Sequence, residues 1–150
     1  MKENPCIRNY QNHDKEAVLN LLKLNTPQYF SPEEEKGLIY FLENEIEYYF
    51  VIEFENMIVG SGGFNFSGDP TKGFLSWDIL HPEFQGKSLG SMLVKYRISR
   101  LREFKDLQKI RVRTSQLAYK FYKKMGFTLI DTVADFWAKG FHLYDMEFIE

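Results

Sequence analysis

The chain is poor in cysteine and carries little net charge. It has one cysteine, Cys6, among 150 residues, so no disulfide can form within it, and a reducing compartment, the cytoplasm, is the expected location. The formal net charge is −2, whereas proteins that bind nucleic acids or membrane surfaces are usually basic. No hydrophobic run approaches the length of a membrane span, and the N-terminal MKENPCIRNY lacks the apolar core of a signal peptide. We therefore expect neither nucleic acid nor membrane as a partner.

The sequence also lacks a metal-binding pattern. Its three histidines, His13, His81 and His142, show neither the HExxH spacing nor a related one, so we predict no metal ion. His81 is expected instead to cap or pack at the end of a strand. Cys6 has no motif around it and is expected to be a buried apolar residue.

What the sequence does contain is the patterning of a single mixed α/β domain, residues 1–150. Its length and apolar content suffice for a core of its own. Apolar periodicity and turn residues predict strands over 5–10, 47–54, 57–64, 74–80, 109–114, 129–137 and 141–149, and helices over 14–24, 31–44, 89–101 and 117–125. In the second of these helices, Ser31 is the expected N-cap and Glu34 completes a capping box. The predicted order is β-α-α-β-β-β-α-β-α-β-β.

Residues 81–90, HPEFQGKSLG, connect a predicted strand to a predicted helix. A nucleotide-triphosphatase loop needs an earlier glycine in the pattern G-x-x-x-x-G-K-[ST], and His81 occupies that position, so this interpretation fails. The helix N-terminus still suits a pyrophosphate, because its first N–H groups have no partner within the helix. Gly86 and Gly90 would let the backbone approach a ligand, and Lys87 adds positive charge. These residues alone leave two interpretations open, a plain turn or a pyrophosphate site.

The stretch HPEFQGKSLGSML resembles the acyl-CoA-binding motif of the GNAT superfamily of N-acetyltransferases, whose pattern after a strand is [QR]-x-x-G-x-[GA]. Gln85 and Gly90 match that pattern, and Ser88 replaces its middle glycine. TSQLAYKFYKKMGF resembles the next motif of the family, with Ser115 where asparagine is common; the matching residues are Ala118, Phe121, Tyr122, Gly126 and Phe127. Together with the order of elements, the resemblance covers nearly the whole chain. It implies the GNAT fold, a mixed and mostly antiparallel sheet with flanking helices and a splayed central pair of strands.

The resemblance implies that acetyl-CoA is the co-substrate, with its pantetheine arm in the gap between the splayed strands. Backbone groups of the central strand would pair with the arm, and the turn after that strand would hold the pyrophosphate. The implied coenzyme-binding residues are Ile79, Leu80, Gln85, Gly86, Lys87, Ser88, Leu89, Gly90, Ser91 and Ser115. The serine at position 88 fits the pattern if its backbone φ is negative, and its hydroxyl could cap the helix.

Acetyl transfer to an amine needs a neutral nucleophile, a stabilised oxyanion and a proton for the departing thiolate. Tyr122 occupies the family's usual general-acid position, and a phenol of pKa ~10 can protonate a thiolate whose conjugate acid has a pKa of ~8.5. A tyrosine that merely packs in the core is the alternative. Asp78, near the end of the central strand, could act as a base, or could be a strand carboxylate that faces solvent or binds backbone. An α-amino acceptor, with a pKa of about 7.7–8, would need little help from a base.

The implied function is acetyl transfer from acetyl-CoA by direct attack of a primary amine, which belongs to a small molecule or is a peptide N-terminus. The expected oligomeric state is a monomer or a homodimer. The family's acceptor site lies between the early helices and the last strands, where the chain offers Tyr29, Phe30, Phe136, Trp137, Tyr144, Glu33 and Asp135. Aromatic walls with carboxylates suit a cationic amine, and we rank a small molecule first. A coenzyme-binding module that senses acyl-CoA without turnover is the alternative. Nucleic-acid binding by the basic run KYRISRLREFK is disfavoured by the net charge, and we expect that run to be a solvated helix face that partly faces the coenzyme phosphates.

Overall fold

The computed structural model describes residues 4–86 and 88–149, so the predicted coenzyme contact at Lys87 lies outside the described residues. The described strands are β1 Cys6–Asn9, β2 Tyr48–Phe54, β3 Met57–Asn65, β4 Lys72–Leu80, β5 Lys109–Thr114, β6 Phe127–Ala138 and β7 Phe141–Phe148. The described α-helices are α1 Lys15–Leu24, α2 Glu34–Asn44, α3 Leu89–Leu101 and α4 Tyr119–Lys124. The predicted order of elements is confirmed, with ends that differ by a few residues.

The strands form one sheet in the order β1-β2-β3-β4-β5-β7-β6. Every neighbouring pair is antiparallel except β4 and β5, which run parallel. The parallel pair needs a crossover, and α3 supplies it between β4 and β5. The predicted fold, a mixed and mostly antiparallel sheet with flanking helices, is therefore confirmed.

The predicted hairpin between β2 and β3 turns at Glu55 and Asn56. Their φ angles are +51° and +63°, as a tight two-residue hairpin turn requires at both central positions. The start of α2 differs from its prediction, because the helix begins at Glu34 and its N-cap is Glu33. The predicted exchange at Ser31 is kept in a modified form, since the Ser31 N–H donates to the Glu34 carboxylate at 2.8 Å and the Ser31 hydroxyl accepts from the Glu33 N–H, instead of that of Glu34, at 3.3 Å.

Two cores lie on opposite faces of the sheet. Helices α3 and α4 pack on one face, where Leu93, Val94 and Tyr122 are buried against the central strands. Helices α1 and α2 pack on the other face and bury Leu22 and Leu38 against β2 and β4. The sheet therefore separates two sides of the molecule that can hold different ligands.

The two ends of the sheet are less covered than its centre. The outer strand β6 is exposed along most of its length, and Cys6 in the edge strand β1 is exposed, so the prediction of a buried cysteine was wrong. Within residues 4–86 and 88–149, no helix combines the length and apolarity needed to cross a membrane.

Strand β4 changes direction in its second half, and this change creates the site described below. The β3–β4 register shifts opposite Gly62, and Trp77 has a φ of +50°, the mark of a bulge. The Tyr49 hydroxyl fixes the bulge by donating to the Trp77 carbonyl at 2.8 Å. Pairing of β4 with β5 ends at Leu75 and Val112, so the rest of β4 has β3 on one side and a gap on the other. This gap confirms the predicted splayed pair.

Candidate active site

A cavity of about 1590 Å³ occupies the gap between β4 and β5 and is lined by residues from both faces of the sheet. On the face of α3 and α4 it is lined by the loop after β4 and by Phe121 and Tyr122. On the face of α2 it is lined by Glu34, Phe41 and Trp137. One cavity can therefore receive two reactants from opposite sides and bring them together beside β4.

Most of the predicted coenzyme-binding residues line this cavity: Ile79, Leu80, Gln85, Gly86, Ser88, Gly90, Ser91 and Ser115. Leu89 does not, because its side chain is buried in the core beneath α3. Only the backbone of Leu89 is left to bind a ligand. The side chains of Ile79 and Leu80 also turn into the cores. Ile79 is paired with Ser61 of β3, so Leu80 is the one of the two whose backbone groups face the open edge of β4.

The loop before α3 has the backbone geometry of an anion site. The Met92 N–H donates to the Ser88 carbonyl, so the earlier N–H groups at Leu89, Gly90 and Ser91 have no acceptor within the helix. Gly86 has a φ of +80°, and nothing lies within 4 Å of the position that a Cβ there would take. These groups can approach a pyrophosphate without a side chain in the way.

Ser88 differs from its prediction in two respects. Its φ is +66°, in the left-handed region, and its hydroxyl makes no capping hydrogen bond. A left-handed backbone favours glycine, which the family pattern has at this position. The serine is therefore accommodated at a conformational cost and gives no capping bond in return.

Gln85 and Gly90 have structural contacts of their own. The Gln85 side chain donates to Asn25 at 3.4 Å, and Asn25 in turn donates to the Leu80 carbonyl at 2.9 Å. A Cβ at Gly90 would lie 3.2 Å from the Phe121 ring, so glycine there lets α3 approach α4 closely. Asn25 was not predicted as a site residue, and no local motif in the sequence marks it. His81 caps the turn by accepting the Glu83 N–H, as predicted.

The two predicted catalytic residues, Tyr122 and Asp78, meet in the cavity. The Tyr122 hydroxyl donates to the Asp78 carboxylate, and the Arg97 guanidinium donates to both oxygens of that carboxylate. Arg97 also donates to the Leu93 carbonyl at 3.2 Å and to the Gly63 carbonyl at 3.0 Å. Asp78 is therefore neither a solvent-facing nor a backbone-bound carboxylate, because it joins β4 to α3 and α4.

The network is buried at one end and open at the other. Arg97 is 0% exposed and Tyr122 is 3% exposed, whereas the Asp78 side chain is 22% exposed. Burial raises the pKa of Tyr122 well above its usual value near 10, and the charge of Asp78 raises it further. Burial would lower the pKa of Arg97, but attraction to Asp78 outweighs it, so this pKa is raised. Tyr122 is thus a neutral hydroxyl and Arg97 a cation at physiological pH.

Arg97 contradicts the prediction that the basic run KYRISRLREFK is a solvated helix face. The run spans residues 95–105 within and after α3, and Arg97 lies on the inner side of the helix. Gly62 makes room for it, because a Cβ at Gly62 would lie 2.8 Å from Asp78 Oδ1 and 3.0 Å from the Arg97 guanidinium. The glycine opposite the bulge is the sequence signal that could have identified this pair.

The opposite face of the cavity carries opposed charges. Glu34 lies on the α2 wall, and burial raises the pKa of its carboxyl group. Arg113 lies on the β5 wall, with its guanidinium 5.0 Å from the Phe136 ring centroid and 6.0 Å from that of Trp137. Among the described residues, no carboxylate lies within ion-pair distance of Arg113. A ligand on this face therefore meets a carboxylate on one wall and a cation on the other.

The predicted acceptor residues divide into two groups. Tyr29, Phe30 and Trp137 line the cavity. The others lie outside it: Glu33, Phe136, Asp135 and Tyr144. Tyr144 packs on Tyr119 of α4 instead. In the part of the chain that the structure describes, no three His, Cys, Asp or Glu side chains are grouped so that they could hold a metal ion.

Comparison with known proteins identifies the class to which this site belongs. The model of the acetyltransferase (GNAT) family matches residues 18–127, so the chain belongs to this family. An uncharacterized N-acetyltransferase ycf52 of Gracilaria tenuistipitata var. liui is 40% identical over 52 residues, which are 34% of this chain and 28% of that protein. The match thus spans less than a third of the relative's length.

Solved structures with low sequence identity share the fold. Ard1 from Thermoplasma volcanium superposes with a TM-score of 0.80 at 19% identity, covering 97% of this chain and 99% of that one. An aminoglycoside 6′-N-acetyltransferase complexed with coenzyme A superposes with a TM-score of 0.74 at 14% identity, covering 95% of each chain. At these identities the two likenesses show the shared fold alone.

Proposed function

We propose that the protein is an N-acetyltransferase that transfers the acetyl group of acetyl-CoA to a primary amine by direct attack. The observation that carries the proposal is the single cavity in which an anion-binding helix start, an open strand edge and the Tyr122 hydroxyl face the same space. The acceptor is a small-molecule amine or a peptide N-terminus, with the small molecule ranked first. The expected location is the cytoplasm.

The coenzyme enters from the face of α3 and α4. Its pyrophosphate binds the loop that contains Gly86 and Gly90, and its pantetheine arm lies along the unpaired edge of β4 beside Ile79 and Leu80, where the Leu80 N–H faces the gap. This places the thioester beside the bulge at Trp77. The residues of this chain therefore fit a coenzyme A thioester, and they do so mostly through backbone groups.

The acceptor amine enters from the face of α2. Glu34 on the cavity wall attracts a cationic amine, and the Trp77, Phe30 and Phe41 rings pack together on the same face. In this proposal the neutral amine attacks the thioester carbonyl, and backbone N–H at the end of β4 stabilises the oxyanion. Tyr122 then protonates the departing thiolate as a general acid.

Release of free thiol from acetyl-CoA with a panel of amines tests the function. The panel contains polyamines, amino acids, aminoglycosides and short peptides. Amine-dependent thiol release supports the enzyme, whereas acetyl-CoA binding without release by any amine would favour the alternative, a sensor of acyl-CoA. The amine that gives the highest kcat/KM is then used for variants.

Tyr122→Phe tests the proposed general acid. We expect kcat to fall by ~10²–10⁴-fold while the acetyl-CoA dissociation constant changes little, because only the proton donor is lost. A tyrosine that merely packs would cost on the order of 1 kcal/mol of stability and leave turnover intact. Wild-type kcat in the variant, with chemistry rate-limiting, would exclude the role.

A further inference from the structure

The orientation of the Tyr122 hydroxyl raises a question for the acetyl transfer proposed above. Its proton points to Asp78 and not to the cavity, so the lone pairs of the phenol oxygen are what a reactant meets first. A hydroxyl held in this way can accept a proton on one side while releasing its own on the other. The site therefore contains both halves of a proton relay.

Asp78 is held in place by a buried arginine, Arg97. Arg97 is fully buried and donates to three elements at once: β3 at Gly63, its own helix at Leu93, and β4 at Asp78. A charge buried so deeply needs its partner, and a bidentate pair fixes the plane of the carboxylate. The carboxylate oxygen that Tyr122 contacts is therefore fixed in position.

We propose that Arg97 is a positioning residue that makes Asp78 and Tyr122 a proton relay from the attacking amine to the departing thiolate. This inference rests on the proposed function. In the relay, Asp78 acts as the base and Tyr122 as the acid, and the two residues belong to one hydrogen-bonded network. Arg97 itself touches neither reactant and acts through Asp78.

The relay balances over one turnover. The amine nitrogen forms a bond to the thioester carbon, and the carbonyl electron pair moves to oxygen. The proton on that nitrogen passes to the Tyr122 oxygen as the hydroxyl proton passes to Asp78. The electron pair on oxygen then re-forms the C=O bond as the C–S bond breaks, and Tyr122 gives its proton to the thiolate and takes back the proton from Asp78. The amine proton ends on the coenzyme thiol, and the network returns to its starting state.

Arg97 gives the relay its direction. An ion pair with a cation favours the ionised carboxylate, so a proton is held on Asp78 only briefly and returns to Tyr122. Without Arg97 the carboxylate would be free to rotate and to retain the proton. The arginine thus controls both the position and the proton affinity of Asp78.

Three variants separate this role from a structural one: Arg97→Gln, Arg97→Lys, and the double variant Asp78→Asn with Arg97→Gln. Titration with acetyl-CoA gives the concentration of folded sites, and kcat is referred to it. We expect Arg97→Gln to lower kcat by ~10²-fold with a change in the acetyl-CoA KM of less than about threefold. Arg97→Lys should retain more of the kcat, because a cation stays beside Asp78.

The double variant decides the case if either single variant fails to fold, because it removes both buried charges together. In the double variant the proton of the attacking amine must leave to solvent. Its kcat should therefore rise with the concentration of added imidazole buffer at fixed pH, while the wild-type kcat should not. A double variant with kcat within about threefold of wild type, or with no response to buffer, would overturn the relay.

Asp14→Asn is the matched control. Asp14 is buried and accepts two hydrogen bonds of 2.8 Å from Arg8, and neither residue lines the cavity. Its loss should lower stability and leave kcat per folded site unchanged. The outcomes also separate the two proposals, because absence of thiol release by the wild type contradicts the function, whereas unaffected variants of an active wild type contradict only the relay.

Discussion

Ser88→Gly should stabilise the protein, because Ser88 holds a left-handed backbone conformation with nothing to offset its cost. Its φ of +66° costs a non-glycine residue about 1–2 kcal/mol, and the hydroxyl makes no capping bond. Glycine removes that cost, but it lowers the free energy of unfolding by roughly 0.5–1 kcal/mol because the unfolded chain is more flexible at a glycine. The mid-points of these two ranges differ by about 0.75 kcal/mol, which corresponds to a rise of about 1.5–3 °C in Tm for a chain of this size.

Urea denaturation of wild type, Ser88→Gly and Ser88→Ala measures this gain. Alanine keeps the Cβ and removes only the hydroxyl, so Ser88→Ala should show no stabilisation. Titration with acetyl-CoA should give an affinity for Ser88→Gly at least equal to that of wild type, because the loop keeps its backbone shape. Equal stability of the glycine and alanine variants would refute the conformational explanation, and a tenfold loss of affinity in both would show that the hydroxyl contacts the coenzyme.

Further predictions concern the ligand, the loop and acid stability. Acetyl-CoA at ~100 times its dissociation constant should stabilise the fold by about 2.7 kcal/mol, whereas ATP should not; thermal melts that show equal effects would contradict the assignment. Gly86→Val should weaken acetyl-CoA binding more than it lowers stability, while Gly90→Val should lower both, because its side chain would press on Phe121. Titration calorimetry beside denaturation curves distinguishes the two variants. The hydrogen bonds from Arg8 lower the pKa of Asp14 below its usual 3.8, so the stability from this pair is present above that pH and is lost as the pH falls through the lowered value. Acid titration of wild type and Asp14→Asn should show a smaller loss in the variant.

The sequence predicted the parts of the site that depend on local backbone signals. The Gln85–Gly90 spacing marks a strand-to-helix turn, and alternating apolar residues mark the strands on either side of it. Helical periodicity alone predicts that the Leu93 side chain points towards the core, where it is found. These features depend on neighbours within a few residues, which is why they can be predicted without an alignment.

The parts that were missed depend on contacts between distant segments. Arg97 was assigned to a solvated face because the residues around it are basic, and its burial follows only once Asp78 on β4 is placed opposite. The positive φ of the bulge falls on a tryptophan, Trp77, and not on a glycine, so the residue type gives no sign of it. Asn25 binds Leu80, which is 55 residues away in the chain. Long-range polar partners of this kind leave little trace in local patterning.

The absence of a side chain at Gly62 has a consequence for how this protein tolerates change. The space above Gly62 is filled from two elements, since Asp78 of β4 and the Arg97 guanidinium of α3 occupy the volume that a Cβ would need. The three positions therefore share one fixed volume. A larger residue at position 62 is compatible with the fold only if Asp78 and Arg97 give way to smaller residues at the same time. We expect exchanges at these three positions to be tolerated together and rejected singly.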